Sequence, residues 1–144
     1  MGFLSGMNIS GSGLTAQRLR MDVISENIAN IDTTRAANGL PYTRKVTILE
    51  ERNPNFSDVL KNSEHDSTEG GVRVAEISND PSPYQLVYDP TNPDANADGY
   101  VQMPNVDITQ EMVDMISAYR SYEANVTAFN AYKDMAVKAL EIGK

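Results

Sequence analysis

Asp94, Asn96, Asp98 and Gly99, in the stretch DANADG, repeat the first half of a calcium-binding EF-hand loop. The second half departs from it. The loop's twelfth position falls on Asn105, where a bidentate Glu is needed, and Pro90, Pro93 and Pro104 deny it flanking helices. The residues therefore read as a tight polar turn, the usual work of Asn, Asp and Gly. His65 is the only histidine, in SEHDS, with no partner at helical spacing, and reads as a solvated loop side chain. A catalytic serine on a G-x-S-x-G elbow is missing, and GSG at residues 11–13 is too short for a phosphate cradle. Tyr119, Tyr122, Phe129 and Tyr132 resemble an aromatic box, but their spacing suits helix packing with hydroxyls at a polar rim. The chain has no cysteine, which excludes disulfides, zinc fingers and thiol catalysis. No enzymatic activity, metal or cofactor is expected.

Charge narrows the partners. Twelve Lys and Arg against 20 Asp and Glu leave a net charge of −8 over 144 residues. That balance is unsuited to nucleic acid, whose phosphates need clustered cations. It is equally unsuited to an anionic membrane surface. No apolar run approaches the ~18 residues of a membrane span, so membrane insertion is not expected. The opening, MGFLSGMNISGSGL, has no basic residue before Arg18 and no h-region of ordinary length. It does not read as a Sec signal peptide, which predicts either a cytoplasmic chain or export without a cleaved signal.

The elements that position these residues follow from proline. All seven prolines lie between Pro41 and Pro104, so both ends are free to form long helices. Near the start, Met7, Leu14, Met21 and Ile28 repeat every 7 residues. The companion row, Ser10, Gln17, Ile24 and Ile31, is apolar only in its later half. A firm helix is predicted from Leu14 to Ile31, with residues 1–10 helical only when held. Near the end, Ile108, Met112, Met115, Tyr119, Tyr122, Val126, Phe129, Lys133, Ala136 and Leu140 follow alternating steps of 4 and 3, and only Lys133 breaks the apolar row. That is a coiled-coil seam. Asp107 is placed as its N-cap and Gly143 as its C′ residue.

The two helices are predicted to pair, antiparallel or nearly so. The longer one carries Val113, Ile116 and Val137 beside its row, more apolar surface than one partner covers. The surplus predicts contact with other chains. Between the helices, residues 42–51, 70–78, 84–89 and 99–103 read as strands, with Val72, Val74 and Ile77 inward. Residues 52–70 are polar and expected to be mobile, with one helical turn or a docking contact at Phe56–Leu60. The fold class is α+β. A discontinuous helical domain (1–35 and 106–144) carries an inserted antiparallel β-rich domain (36–105). Two readings stay open for Asn27 and Asn30: a cap or turn at the helix end, or hydrogen bonds to a neighbouring subunit. Arg18, Arg20 and Arg35 read as solvated or interface charges.

SGLTAQRLRMDVISENIANIDTT, residues 12–34, resembles the N-terminal signature of bacterial flagellar rod and hook proteins, centred on Asn27, Ile28, Ala29 and Asn30. PNVDITQEMVDMISAYRSYEANV, residues 104–126, is similar to their C-terminal signature and includes Asn105, Val106, Asp107, Glu123, Ala124 and Asn125. The stretch YDPTNPDANADGYVQMPNVD and the short length narrow the resemblance to proximal-rod members. The resemblance implies a structural subunit of the drive shaft crossing the periplasm, exported through the flagellar type III gate. Its implied partners are further copies of itself, other proximal and distal rod proteins, and a basal-body adaptor near the MS ring and export gate. The alternatives are a soluble coiled-coil adaptor or chaperone of a secretion system, and a calcium-dependent binding module.

Overall fold

The structure is a computed structural model in which residues 3–36, 38–52 and 70–142 are described. The order is α1 (Phe3–Ala29), β1 (Lys45–Glu51), β2 (Val72–Asn79), β3 (Gln85–Tyr88), β4 (Tyr100–Met103) and α2 (Ile108–Ile142). The class is α+β, two long helices with small antiparallel sheets between them. His65, the turn at residues 56–60, the expected mobility of residues 53–69, and Gly143 lie outside the described residues.

α2 starts where its cap dictates. The Asp107 carboxylate accepts from the Thr109 and Gln110 amides at 2.8 and 3.4 Å, satisfying donors the first turn leaves open. Its 35 residues contain no Gly or Pro. α1 is helical from Phe3, further upstream than residues 14–31 alone, and continues through Gly11 and Gly13. It stops without a glycine cap. Asn30 folds back instead: its Nδ2 donates to Glu26 O at 2.9 Å and its Oδ1 accepts from Thr33 Oγ1 at 3.3 Å.

β1 pairs with β2, and β3 with β4. The β3–β4 register runs Gln85↔Met103 to Tyr88↔Tyr100, with the two tyrosine rings edge to face at 5.3 Å. Arg52 N–H donates to Gly71 O at one end of the β1–β2 ribbon, and Asp80 N–H to Arg44 O at the other, as antiparallel strands require. The expected inward valines are a correction. Val72 and Ile77 are exposed and only Val74 is partly covered; Val46, Ile48 and Leu49 are exposed as well. A two-stranded ribbon has no second layer to bury them.

Contacts group the chain into two compact units. The end unit comprises Met1–Leu19, Ile48–Glu76 and Ala118–Lys144, and the node unit Arg20–Thr47 and Ile77–Ser117. Each unit thus takes parts of both helices and of the ribbon. Among the described residues of the end unit, those buried are small: Ser10, Ala16 and Ala118. α1 and α2 run antiparallel there. A Cβ on Gly6 would sit 2.7 Å from the Tyr132 ring, and one on Gly13 2.9 Å from Asn125 Oδ1, so glycine permits the close approach. Ser12 Oγ accepts from the Val72 amide at 3.0 Å and fixes the ribbon's Gly70–Gly71 end on α1. The node unit holds the larger buried side chains: Val23, Ile24, Tyr42, Val101 and Val106, with Asn27 and Glu111.

Candidate functional site

Asn27 is 1% exposed near the end of α1, and every hydrogen-bonding position of its amide is filled. Its Oδ1 accepts from Lys45 N–H and from the Tyr42 hydroxyl, both at 2.9 Å. Its Nδ2 donates to Lys45 O at 2.9 Å and to Glu111 Oε2 at 3.1 Å. The side chain thus meets both backbone groups of Lys45 as a neighbouring strand would, at a point where β1 has only β2 beside it. Asn105 does similar work on the adjacent residue. Its Oδ1 accepts from Arg44 N–H at 2.8 Å, and its Nδ2 donates to Asp80 O and Ser82 O at 3.2 and 3.0 Å.

Arg44 lies between these two asparagines. Its Nε donates to Glu111 Oε1 at 2.6 Å, Nη1 to Asp80 at 3.1 Å and Nη2 to Asp114 at 3.4 Å. Asp114 also accepts from Arg20 Nη2 at 3.1 Å. Glu111 is fully buried, so this fork and Asn27 replace all its water. Burial alone would lower the Arg44 pKa, but Glu111 and Asp80 raise it above the usual arginine value. Asp80 is held below the usual carboxylate range, first by the Ser82 hydroxyl and amide and then by Arg44.

Tyr42 is pushed up to about 12, first by burial and then by the charges of Glu26 and Glu111. A raised folded-state value leaves stability complete below the unfolded value, about 10, and removes it as pH rises towards the folded one. Urea unfolding is therefore expected to show a loss of stability between pH 10 and 12. Tyr42→Phe, which cannot ionise, should lose less over that interval; equal losses would show that Tyr42 is not the group responsible.

The apolar rows read from sequence stand beside this node and beside the end unit's seam, and only half of each faces inward. On α2, Met115, Tyr122, Phe129 and Ala136 are partly buried, as is Val126. Ile108, Met112, Tyr119 and Leu140 are exposed at 48%, 56%, 57% and 76%. The residues turned inward in their place are Glu111, Ala118, Asn125 and Tyr132, also seven apart. α1 repeats the pattern. Ile24 is buried, while Met7, Leu14, Met21, Ile28 and Ile31 are only partly covered; Gly6, Gly13 and Asn27, each one residue earlier than a member of the apolar row, make the contacts with α2. Each helix therefore has a small or polar line turned inward and an apolar line turned partly or wholly outward.

Two family models match the ends of the chain: the flagella basal body rod protein model over residues 7–36, and the flagellar basal body rod FlgEFG protein C-terminal model over residues 97–142. Flagellar basal-body rod protein FlgC of Bacillus subtilis is 57% identical, with 96% of both chains covered. That of Borreliella burgdorferi is 49% identical over 99% of this chain and 98% of its own, and that of Escherichia coli O6:H1 is 41% identical over all of both. The chain belongs to the flagellar basal-body rod protein FlgC family. It is a structural rod subunit of the basal body and not an enzyme.

FlgC-family membership gives the signature residues a context that their spacing alone did not. Asn27 is not a helix cap or turn: its partners are Tyr42, Lys45 and Glu111 of the same chain. Asn30 forms the turn after α1. Val106 is buried, Asp107 caps α2, and Asn125 Nδ2 donates to Ser121 O at 2.8 Å. Ala29, Glu123 and Ala124 are exposed. Arg20 and Arg35 pair with Asp114 and Asp94. The DANADG loop is a turn: Asn96 Oδ1 accepts from the Asp98 and Tyr100 amides, and Asp94 is engaged by Thr34 and Arg35. Arg44 and Glu111 were missed. No periodicity marks them, and only a buried carboxylate in a seam position draws attention to them. No described helix is long and apolar enough to cross a membrane.

Proposed function

We propose that this chain polymerises into the proximal rod through the outward apolar lines of its two helices, and that the assembled rod transmits torque. The observation that carries the reading is the exposed row Ile108, Met112 and Ile116 in the node unit, on a helix whose buried line is already satisfied within the chain. Neighbours would be further copies and other proximal and distal rod proteins, with an adaptor near the MS ring and export gate at the base. Helical, non-closing packing suits a face that meets a different face on the next subunit. Passage through the flagellar type III gate, without cleavage of a signal peptide, would deliver the subunit to the periplasm. Family membership supports that route.

The chain has no cysteine, so a single Met112→Cys substitution provides one crosslinking position. In flagellated cells complemented with this variant, a bifunctional thiol–amine reagent is expected to link the introduced thiol to rod proteins in purified basal bodies. A thiol that stays freely reactive in intact basal bodies would reject the row as an assembly contact.

A further inference from the structure

The buried polar node lies one residue away from an apolar pair that it leaves unused. Asn27 precedes Ile28, and Glu111 precedes Met112. Asn27 and Glu111 are 1% and 0% exposed and touch at 3.1 Å. Met112 is 56% exposed and Ile28 only partly covered. The same offset recurs at Arg20, which pairs inward with Asp114 while Met21 beside it stays partly open.

Turning each helix by one residue, about 100°, would bring Ile28 and Met112 inside. The alternative would bury Ile28 and Met112 at the expense of Val23 and Ala118, and it would spare the burial of a carboxylate, which opposes the arrangement observed. The directional contacts decide otherwise. Glu111 is fixed by the Arg44 Nε at 2.6 Å, Arg44 by Asp80 and Asp114, and Asn27 by both backbone groups of Lys45. None of these bonds survives a rotation of that size. Buried polar groups are best attested as devices that choose one helix register over another.

We infer that Asn27, Arg44 and Glu111 are positioning residues that select which helix face turns inward, and so keep the Met112 row uncovered for a neighbouring subunit. The use of that row by a neighbour rests on the assembly reading above; the choice of face does not. An apolar chain with the same rows but no node would close on itself and lose its docking surface.

The test compares thiol labelling of full-length Met112→Cys with that of the same chain carrying Arg44→Met and Glu111→Leu. The pair of changes removes both charges together. Asn27 keeps Lys45 and Tyr42, Asp80 keeps Ser82, and Asp114 keeps Arg20 and Gln110. The expected result is an undiminished helical circular dichroism signal with labelling slowed at least about tenfold, as the thiol turns inward. Unchanged labelling in a helical variant overturns the inference. Loss of helical signal overturns it too, because the node would then be needed to fold rather than to choose a face. Failure of the assembly reading shows elsewhere: Met112→Glu would leave swimming intact, whatever the labelling rates.

Discussion

Met112→Glu is expected to abolish swimming while changing the stability of the isolated chain by only about 0.5 kcal/mol. The two effects separate because of where Met112 stands. More than half of it is exposed, beside the buried Glu111 on α2. A glutamate there meets water in the free subunit, and a surface carboxylate on a helix costs little. In an assembled rod the same carboxylate would be shut into an apolar contact without a cation. An uncompensated buried charge costs about 3–5 kcal/mol, and in a helical assembly the loss recurs at each subunit. The measurement is twofold: a thermal melt of the purified chain, and the swimming halo and rod yield of a deletion strain complemented with the variant. Lys133→Ala, at the one polar break of the row, is the matched control and should swim normally. A motile Met112→Glu strain would place the assembly surface elsewhere.

How much of this was legible in the sequence depends on what periodicity measures. The two helices, the four strands and the Asp107 cap were all readable, because proline placement, β-branched runs and capping residues act locally. The heptads were readable too, but Gly6, Gly13 and Asn27 on α1, and Glu111, Asn125 and Tyr132 on α2, which meet across the helices, each stand one residue before a position of the apolar rows. Gly6 and Gly13 add nothing to a hydrophobic pattern, yet they are where Tyr132 and Asn125 come closest. Nothing in the local sequence marks Glu111 for burial, yet it is fully buried. Its partner Arg44 is 67 positions away in sequence. A pattern search rewards apolar residues, whereas an assembling subunit has reason to keep its best apolar line off its own core. The strand interiors failed for a related reason. Alternation in Val72–Ile77 predicts a covered face, but Val72 and Ile77 are exposed and only Val74 is partly covered.

Asn27→Asp isolates the chemistry of the node in one atom. The new carboxylate is nearly isosteric and keeps its acceptors for the Tyr42 hydroxyl and the Lys45 amide. It loses the donor that now serves Lys45 O at 2.9 Å and Glu111 Oε2 at 3.1 Å. Two carboxylates then face each other in a buried site, beside Arg44, which already binds one of them. The expected loss at pH 7 is about 3–5 kcal/mol, comparable to an unpaired buried charge. Repulsion raises the folded-state pKa of the pair, so a proton taken up on acidification restores a donor between them. Stability lost at neutral pH should therefore return as pH falls towards 5. The native chain runs the other way. Asp80, held low by Ser82 and Arg44, contributes stability above the ordinary aspartate value that disappears at lower pH. Asn27→Leu removes all four hydrogen bonds, the two accepted as well as the two donated, without adding a charge, and its deficit should not depend on pH between 5 and 7. Urea titrations at those two values separate the variants. An Asn27→Asp deficit that stayed constant would mean that its carboxylate does not meet Glu111, and that Asn27 serves only Tyr42 and the backbone of Lys45.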